Sequence, residues 1–299
     1  MRLPAVLMSS LLAVGLVAAS TATAEAAPKR VVALEWEYLE DVARLGVKPV
    51  GGADLRGYRT YVSISLPSGI TDVGTRQQPN IERIAKLRPD LIIVPKWRVG
   101  KNLSQLKRIA KVLVLNPYPG DQGSGTQYKQ MVSAFRAIGS ALGRSSRANR
   151  IIRDLDAAYP RLRKRLAKAN RDGVKIAVAQ PAGTASSPQV RLFTRNSVAG
   201  SVLNRLGLRN SWSDGDPKYG FSTAGIESLK RVQSGYFAFV YPNQFESLIK
   251  KFQKLRSYKS LTMVKKKRVR YLRGNSWTFG GPASTKLLAY RIVDQLVKK

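Results

Sequence analysis

No cysteine and no histidine occur in the 299 residues, and acidic residues are scarce: 18 Asp and Glu stand against 52 Lys and Arg, a formal net charge of +34. The first two absences exclude whole classes of chemistry. Without imidazole or thiol the chain cannot build a Ser-His-Asp or Cys-His triad, a zinc finger, a thiolate redox centre or an imidazole-ligated haem. A metal could be held directly only by carboxylate, phenolate or carbonyl oxygen. A transition metal is therefore expected to arrive already wrapped in a small chelator, and no cofactor or metal site of the protein's own is expected. A general base would have to be an acid such as Glu35, Glu37 or Asp41, and nothing sets any of them opposite a nucleophile. The chain does not read as an enzyme.

What is present is ordinary globular composition, 43% hydrophobic and 23% charged, with enough chain for two compact lobes. The N-terminus carries Arg2, an apolar stretch from Leu3 to Ala19, and small residues with A-x-A sites at Ala22/Ala24 and Ala24/Ala26. That order of segments is an export signal. Residues 1–26 are expected to be removed near Ala24 or Ala26, leaving a periplasmic protein; without Cys, a lipoprotein anchor is not available.

Beyond residue 28, β-rich runs alternate with helical patterns, as in parallel-sheet α/β domains. Val31–Leu34, Leu91–Val94 and Val112–Leu115 read as buried strands; Tyr38–Leu45, Ile81–Leu87 and Leu103–Ala110 read as helices. The stretch from Asn80 to Val94 recurs in outline from Gly225 to Phe239: an Ile-Glu helix start, a basic turn, an apolar strand. Between the two copies, Ser145–Asp172 has apolar residues at helical spacing and Gly173 as a stop. One helix there would be about 40 Å long, with Pro160 expected to kink or split it. The expected architecture is α/β: an N-terminal lobe over 27–144, a linking helix over 145–172 and a similar C-terminal lobe over 173–299, both with mainly parallel sheets.

In open α/β sheets, ligands bind beyond the carboxyl ends of strands. Trp36, Trp97 and Trp277 each follow such an end, and Tyr61, Tyr219 and Phe279 lie in loops of similar standing. They predict a cleft lined with aromatic faces, although each ring could instead pack its own lobe's core.

Four segments in order carry a resemblance: Arg30–Trp36, Asp72–Glu82, Asn210–Trp212 with Gly220–Thr223, and Ser276–Pro282. From about Arg30 to Leu296 the chain resembles the periplasmic binding proteins with a single long inter-lobe helix, which serve siderophore, haem and vitamin B12 importers. It looks most like the ferric-hydroxamate branch. The resemblance implies a monomeric receptor that captures a ferric siderophore, with ferric ion only inside the chelate, and hands it to an ABC permease. It implies that Arg76 reaches the hydroxamate oxygens, a task suited to a guanidinium, whose donor fork stays charged. It further implies that Glu82 and Glu227, at equivalent places in the two repeats, dock onto the permease; the local reading is that each complements a helix dipole. Haem or another metal chelate is the alternative ligand. A secreted basic nucleic-acid binder is the more distant one: runs such as Lys265–Arg268 would fit it, but no groove-reading motif accompanies them, so no nucleic-acid partner is expected.

Overall fold

The structure, a computed structural model, describes residues 27–100, 102–118, 125–184 and 186–298. The expected signal segment, residues 1–26, lies outside them. The first sheet comprises Val31–Ala33 (β1), Gly51–Gly52 (β2), Thr71–Asp72 (β3), Leu91–Pro95 (β4) and Lys111–Leu115 (β5), in the order β3-β2-β1-β4-β5. Every pairing in it is parallel. β1 and β4 are buried along their whole length, so they read as continuous apolar runs rather than alternating ones.

Helices connect these strands: Trp36–Arg44 (α1), Leu55–Tyr61 (α2), Ile81–Lys86 (α3), the single turn Lys96–Val99 (α4) and Asn102–Ile109 (α5). Gln127–Ala141 (α6) then leads into Ser145–Lys168 (α7). The starts follow local chemistry: the Asn80 side chain accepts from Arg83 N–H at 2.8 Å to cap α3, and Glu35 caps α1 through Trp36 N–H.

The second sheet holds Lys175–Gly183 (β6), Pro188–Phe193 (β7), Arg209–Asn210 (β8), Phe221–Gly225 (β9), Tyr236–Tyr241 (β10) and Val269–Arg273 (β11). Its order is β11-β10-β6-β7-β9, with β8 also on β6. β10 pairs in parallel with β6 as β4 does with β1; the departure from the first lobe is a β6–β7 hairpin, which makes β7 antiparallel to both β6 and β9. Val198–Arg205 (α8), Glu246–Lys254 (α9), Arg256–Lys259 (α10), Thr262–Lys265 (α11) and Pro282–Val297 (α12) complete this lobe. The repeated segments fall where the repeat requires: α3 precedes β4, and a 3₁₀ turn over Ile226–Val232 precedes β10.

The linking helix α7 is continuous over 24 residues, about 36 Å. Pro160 does not split it. That residue lies on the solvent face, where water can serve the carbonyl left without its amide partner. Along its buried stripe, Ala148 and Ile152 join the core of the first lobe, while Leu155, Tyr159, Leu162 and Leu166 join that of the second. One rigid element is thus embedded in both cores. No helix among the described residues is long and apolar enough to cross a membrane.

Candidate functional site

Both sheets direct strand carboxyl ends toward the junction of the lobes, and a cleft of about 260 Å³ opens there. Arg76, from the loop between β3 and α3, lies on its wall. Its guanidinium sits 3.5 Å from the Trp36 ring centroid and donates to Glu35 Oε1 at 2.7 Å. Arg98, on the single turn α4, donates to the other oxygen of the same carboxylate at 2.9 Å and covers the Trp97 ring at 4.0 Å. Burial depresses the Arg98 guanidinium, with Glu35 acting in the opposite direction. Nε of each arginine, and Nε1 of Trp277, are buried without a hydrogen-bond acceptor. All three residues line the cleft, and a buried donor left without a partner costs about 1–3 kcal/mol.

The aromatic side is a chain of ring contacts crossing between the lobes. Trp36 meets Trp277 at 5.0 Å between centroids, Trp277 meets Phe279 at 5.2 Å, and Phe279 meets Phe221 at 5.9 Å. Tyr219 follows at 6.3 Å from Phe221, and Trp97 at 6.1 Å from Tyr219. Tyr118, in the loop after β5, closes the group at 5.2 Å from Tyr219. Burial, then the Glu35 carboxylate, pushes the Tyr118 phenol upward, so it stays a neutral hydroxyl.

Of the seven residues singled out in the sequence, Arg76, Trp97, Tyr219, Trp277 and Phe279 line the cleft. Trp36 does not: it is 3% exposed and lies beneath Arg76, its indole N–H donating to Asp54 O at 3.0 Å. Tyr61 stacks on Trp36 at 5.4 Å and accepts from Gln244 across the lobes, one layer outside the wall. The fourth tryptophan, Trp212, belongs to the core of the second lobe. Glu82 and Glu227 are exposed, each in the first turn of its element, and neither forms an ion pair with another described residue.

The sequence reading missed Glu35, Arg98, Tyr118, Arg191, Gln127 and Phe221 as cleft residues. Tyr118 was findable, since it follows a strand as Trp97 does. Arg191 was not, because it rides on the β6–β7 hairpin that the parallel pattern gave no reason to expect.

Two lobes joined by one long helix, with an aromatic cleft at the facing strand ends, define a class: two-lobed solute-binding proteins. The chain belongs to the periplasmic binding protein family, whose sequence profile matches residues 31–275. That is a family of binding proteins rather than enzymes. The chain is 27% identical over 287 residues to the Fe(3+)-citrate-binding protein YfmC of Bacillus subtilis, covering 93% of this chain and 84% of the relative. It is 28% identical to the iron(3+)-hydroxamate-binding protein FhuD of Escherichia coli, over 68% of this chain and 65% of the relative. Among solved structures, the siderophore-binding protein FhuD of Vibrio cholerae, crystallised with Fe3+-Desferal, superposes with a TM-score of 0.82 at 28% identity, covering 90% of this chain and 98% of that one.

Proposed function

We propose that this protein is the extracytoplasmic receptor of an ABC importer and that it captures a ferric siderophore of the hydroxamate type. The observation that carries this reading is the pairing of unsatisfied donors with an aromatic wall in a single inter-lobe cleft. Chelate oxygens around ferric ion accept from guanidinium and indole N–H groups, while the chelate's organic arms lie on the rings. A ferric trihydroxamate core carries no net charge, whereas ferric citrate is polyanionic. Glu35 already neutralises much of what Arg76 and Arg98 offer, so the cleft suits the uncharged core better. The N-terminal 26 residues fit an export signal, the receptor acts as a monomer, and an ABC permease is its partner. The basic surface is not assigned to nucleic acid.

The test is titration of intrinsic tryptophan fluorescence with ferric hydroxamates, ferric citrate, ferric catecholates and haemin. Trp97 and Trp277 lie on the cleft wall, so a ferric hydroxamate should quench emission at micromolar concentration or below. DNA should bind only weakly and in a salt-dependent manner. Tighter binding of citrate or haemin moves the ligand class; no quenching by any chelate, with salt-resistant DNA binding, overturns the reading.

A further inference from the structure

Two polar residues of the cleft lining take no part in the arginine cluster. Glu37 on α1 and Gln127 at the start of α6 both line the cleft, and both are almost wholly enclosed, at 5% and 2% exposure. Glu37 Oε1 has no hydrogen-bond partner, and neither does either polar atom of the Gln127 amide. Gln127 is nevertheless held firmly. Its backbone N–H donates to Asn196 O in the other lobe at 2.8 Å, and its amide lies against Gly220, whose φ is +70° and where a Cβ would approach to 2.8 Å. With 52 basic residues in the chain, none pairs with Glu37 among the described residues. A buried acceptor left unpaired in a molecule so rich in donors is unfavourable unless something else fills the place.

The acids behind Glu37 sharpen the point. Glu40 and Asp41 on the same helix are fully enclosed, and both Asp41 oxygens lack a partner. The cleft lining thus holds an unpaired carboxylate oxygen on Glu37 and an unpaired amide on Gln127 as well as the unpaired donors of Arg76, Arg98 and Trp277. We propose that Glu37 and Gln127 form a subsite for a protonated amine on an arm of the chelate, so that the receptor prefers ferric hydroxamates with a cationic tail. This rests on the chelate reading and adds a ligand class to it. Burial, with Glu35 and Glu40 nearby, raises the Glu37 carboxyl; an ammonium group alongside restores the charged form and supplies the missing partner.

A matched pair of probes isolates the tail: ferrioxamine B, a ferric trihydroxamate ending in a primary ammonium, and its N-acetylated form, which keeps the chelate and loses the charge. Fluorescence titration of the intact protein should show ferrioxamine B binding roughly tenfold tighter or better, as for a hydrogen bond to a charged group. Glu37→Gln, isosteric and free of the buried charge, should bring the two affinities within about twofold of each other. Gln127→Leu should shrink the preference in part, with thermal unfolding confirming that both variants fold. Equal affinities for the two probes in the unaltered protein, or an undiminished preference in Glu37→Gln, overturn the subsite alone. Failure of both probes to bind overturns the hydroxamate reading and the subsite with it.

Discussion

The guanidinium of Arg76 is positioned before any ligand arrives. Trp36 supports one face, Glu35 fixes one nitrogen, and Asp54 lies 3.8 Å from Nε. A planar cation held by stacking and by a carboxylate loses little rotational freedom on binding, so its remaining N–H groups can serve an acceptor at low entropic cost. Lysine cannot reproduce this, because an ammonium neither stacks on indole as a plane nor presents a fork. Arg76→Ala should weaken ferric-hydroxamate binding by about 1.5–3 kcal/mol while the protein stays folded, and Arg76→Lys should recover little of the loss. Isothermal titration of the two variants measures this; an unchanged affinity for Arg76→Ala would move the polar contact elsewhere. Arg76 was legible in the sequence through the family resemblance, which places an arginine in the loop before the α3 start. Glu35, its counter-ion, was not, because its role depends on Arg98 arriving from a turn sixty residues away.

The contact of α1 with α12 is a helix cap supplied from a distance. Gly281 precedes α12 and has no side chain with which to cap it, and Glu40 takes that place, accepting from Ser284 N–H at 2.8 Å and from the Ser284 hydroxyl at 2.5 Å. Gly281 is required there for space: a Cβ would stand 1.9 Å from an Asp41 oxygen. Burial raises the Glu40 carboxyl from the ordinary 4.5 to about 7, with the Ser284 bonds opposing the rise. Glu37 and Asp41 are raised in the same direction, chiefly by burial, then by Glu35 and Glu40 in the case of Glu37 and by Glu37 and Glu40 in the case of Asp41. An acid whose folded value lies above its unfolded one favours the folded state while protonated, and that contribution is lost as pH rises through the folded value. For Glu40 the window is pH 4.5 to about 7, worth roughly 3 kcal/mol across it. The unfolding temperature should therefore rise as pH is lowered from 7.5 to 5.5, and Glu40→Gln should remove part of that slope. A flat or reversed slope in the unaltered protein would show that these acids are hydrated rather than enclosed. None of this cluster was read from the sequence, where Glu37 and Asp41 figured only as acids that a general base would need, since alternation and period do not report that two helices from opposite ends of the chain meet.

At the scale of the whole molecule, the two-lobed plan was readable because it is written twice. The Ile-Glu start, basic turn and apolar strand recur, and the structure sets the recurring strands, β4 and β10, in the same place beside β1 and β6. The linking helix was equally plain from its period. The antiparallel hairpin was not, since β6 and β7 are joined by a polar loop with no two-residue turn signal. The same repeat bears on how the receptor meets a permease. Glu82 follows β3 and Glu227 follows β9; β3 runs parallel to β1, and β9, antiparallel to β7, runs parallel to β6. Both acids thus stand at the carboxyl-end edge of their sheets, the edge that bears the cleft, one in each lobe. Four of the eighteen acids, Glu35, Glu37, Glu40 and Asp41, are buried on or beside α1, which leaves few on a strongly basic exterior. On the proposed docking role, two exposed carboxylates at equivalent sites would mark an orientation for a basic permease surface to read, acting more on encounter and register than on affinity. The double variant Glu82→Ala and Glu227→Ala should bind ferric hydroxamate as well as the unaltered receptor and yet support much slower siderophore uptake in cells lacking the native copy. Helix-dipole complementation alone would predict the reverse, a small loss of thermal stability with uptake at the normal rate, and that result would remove the docking role.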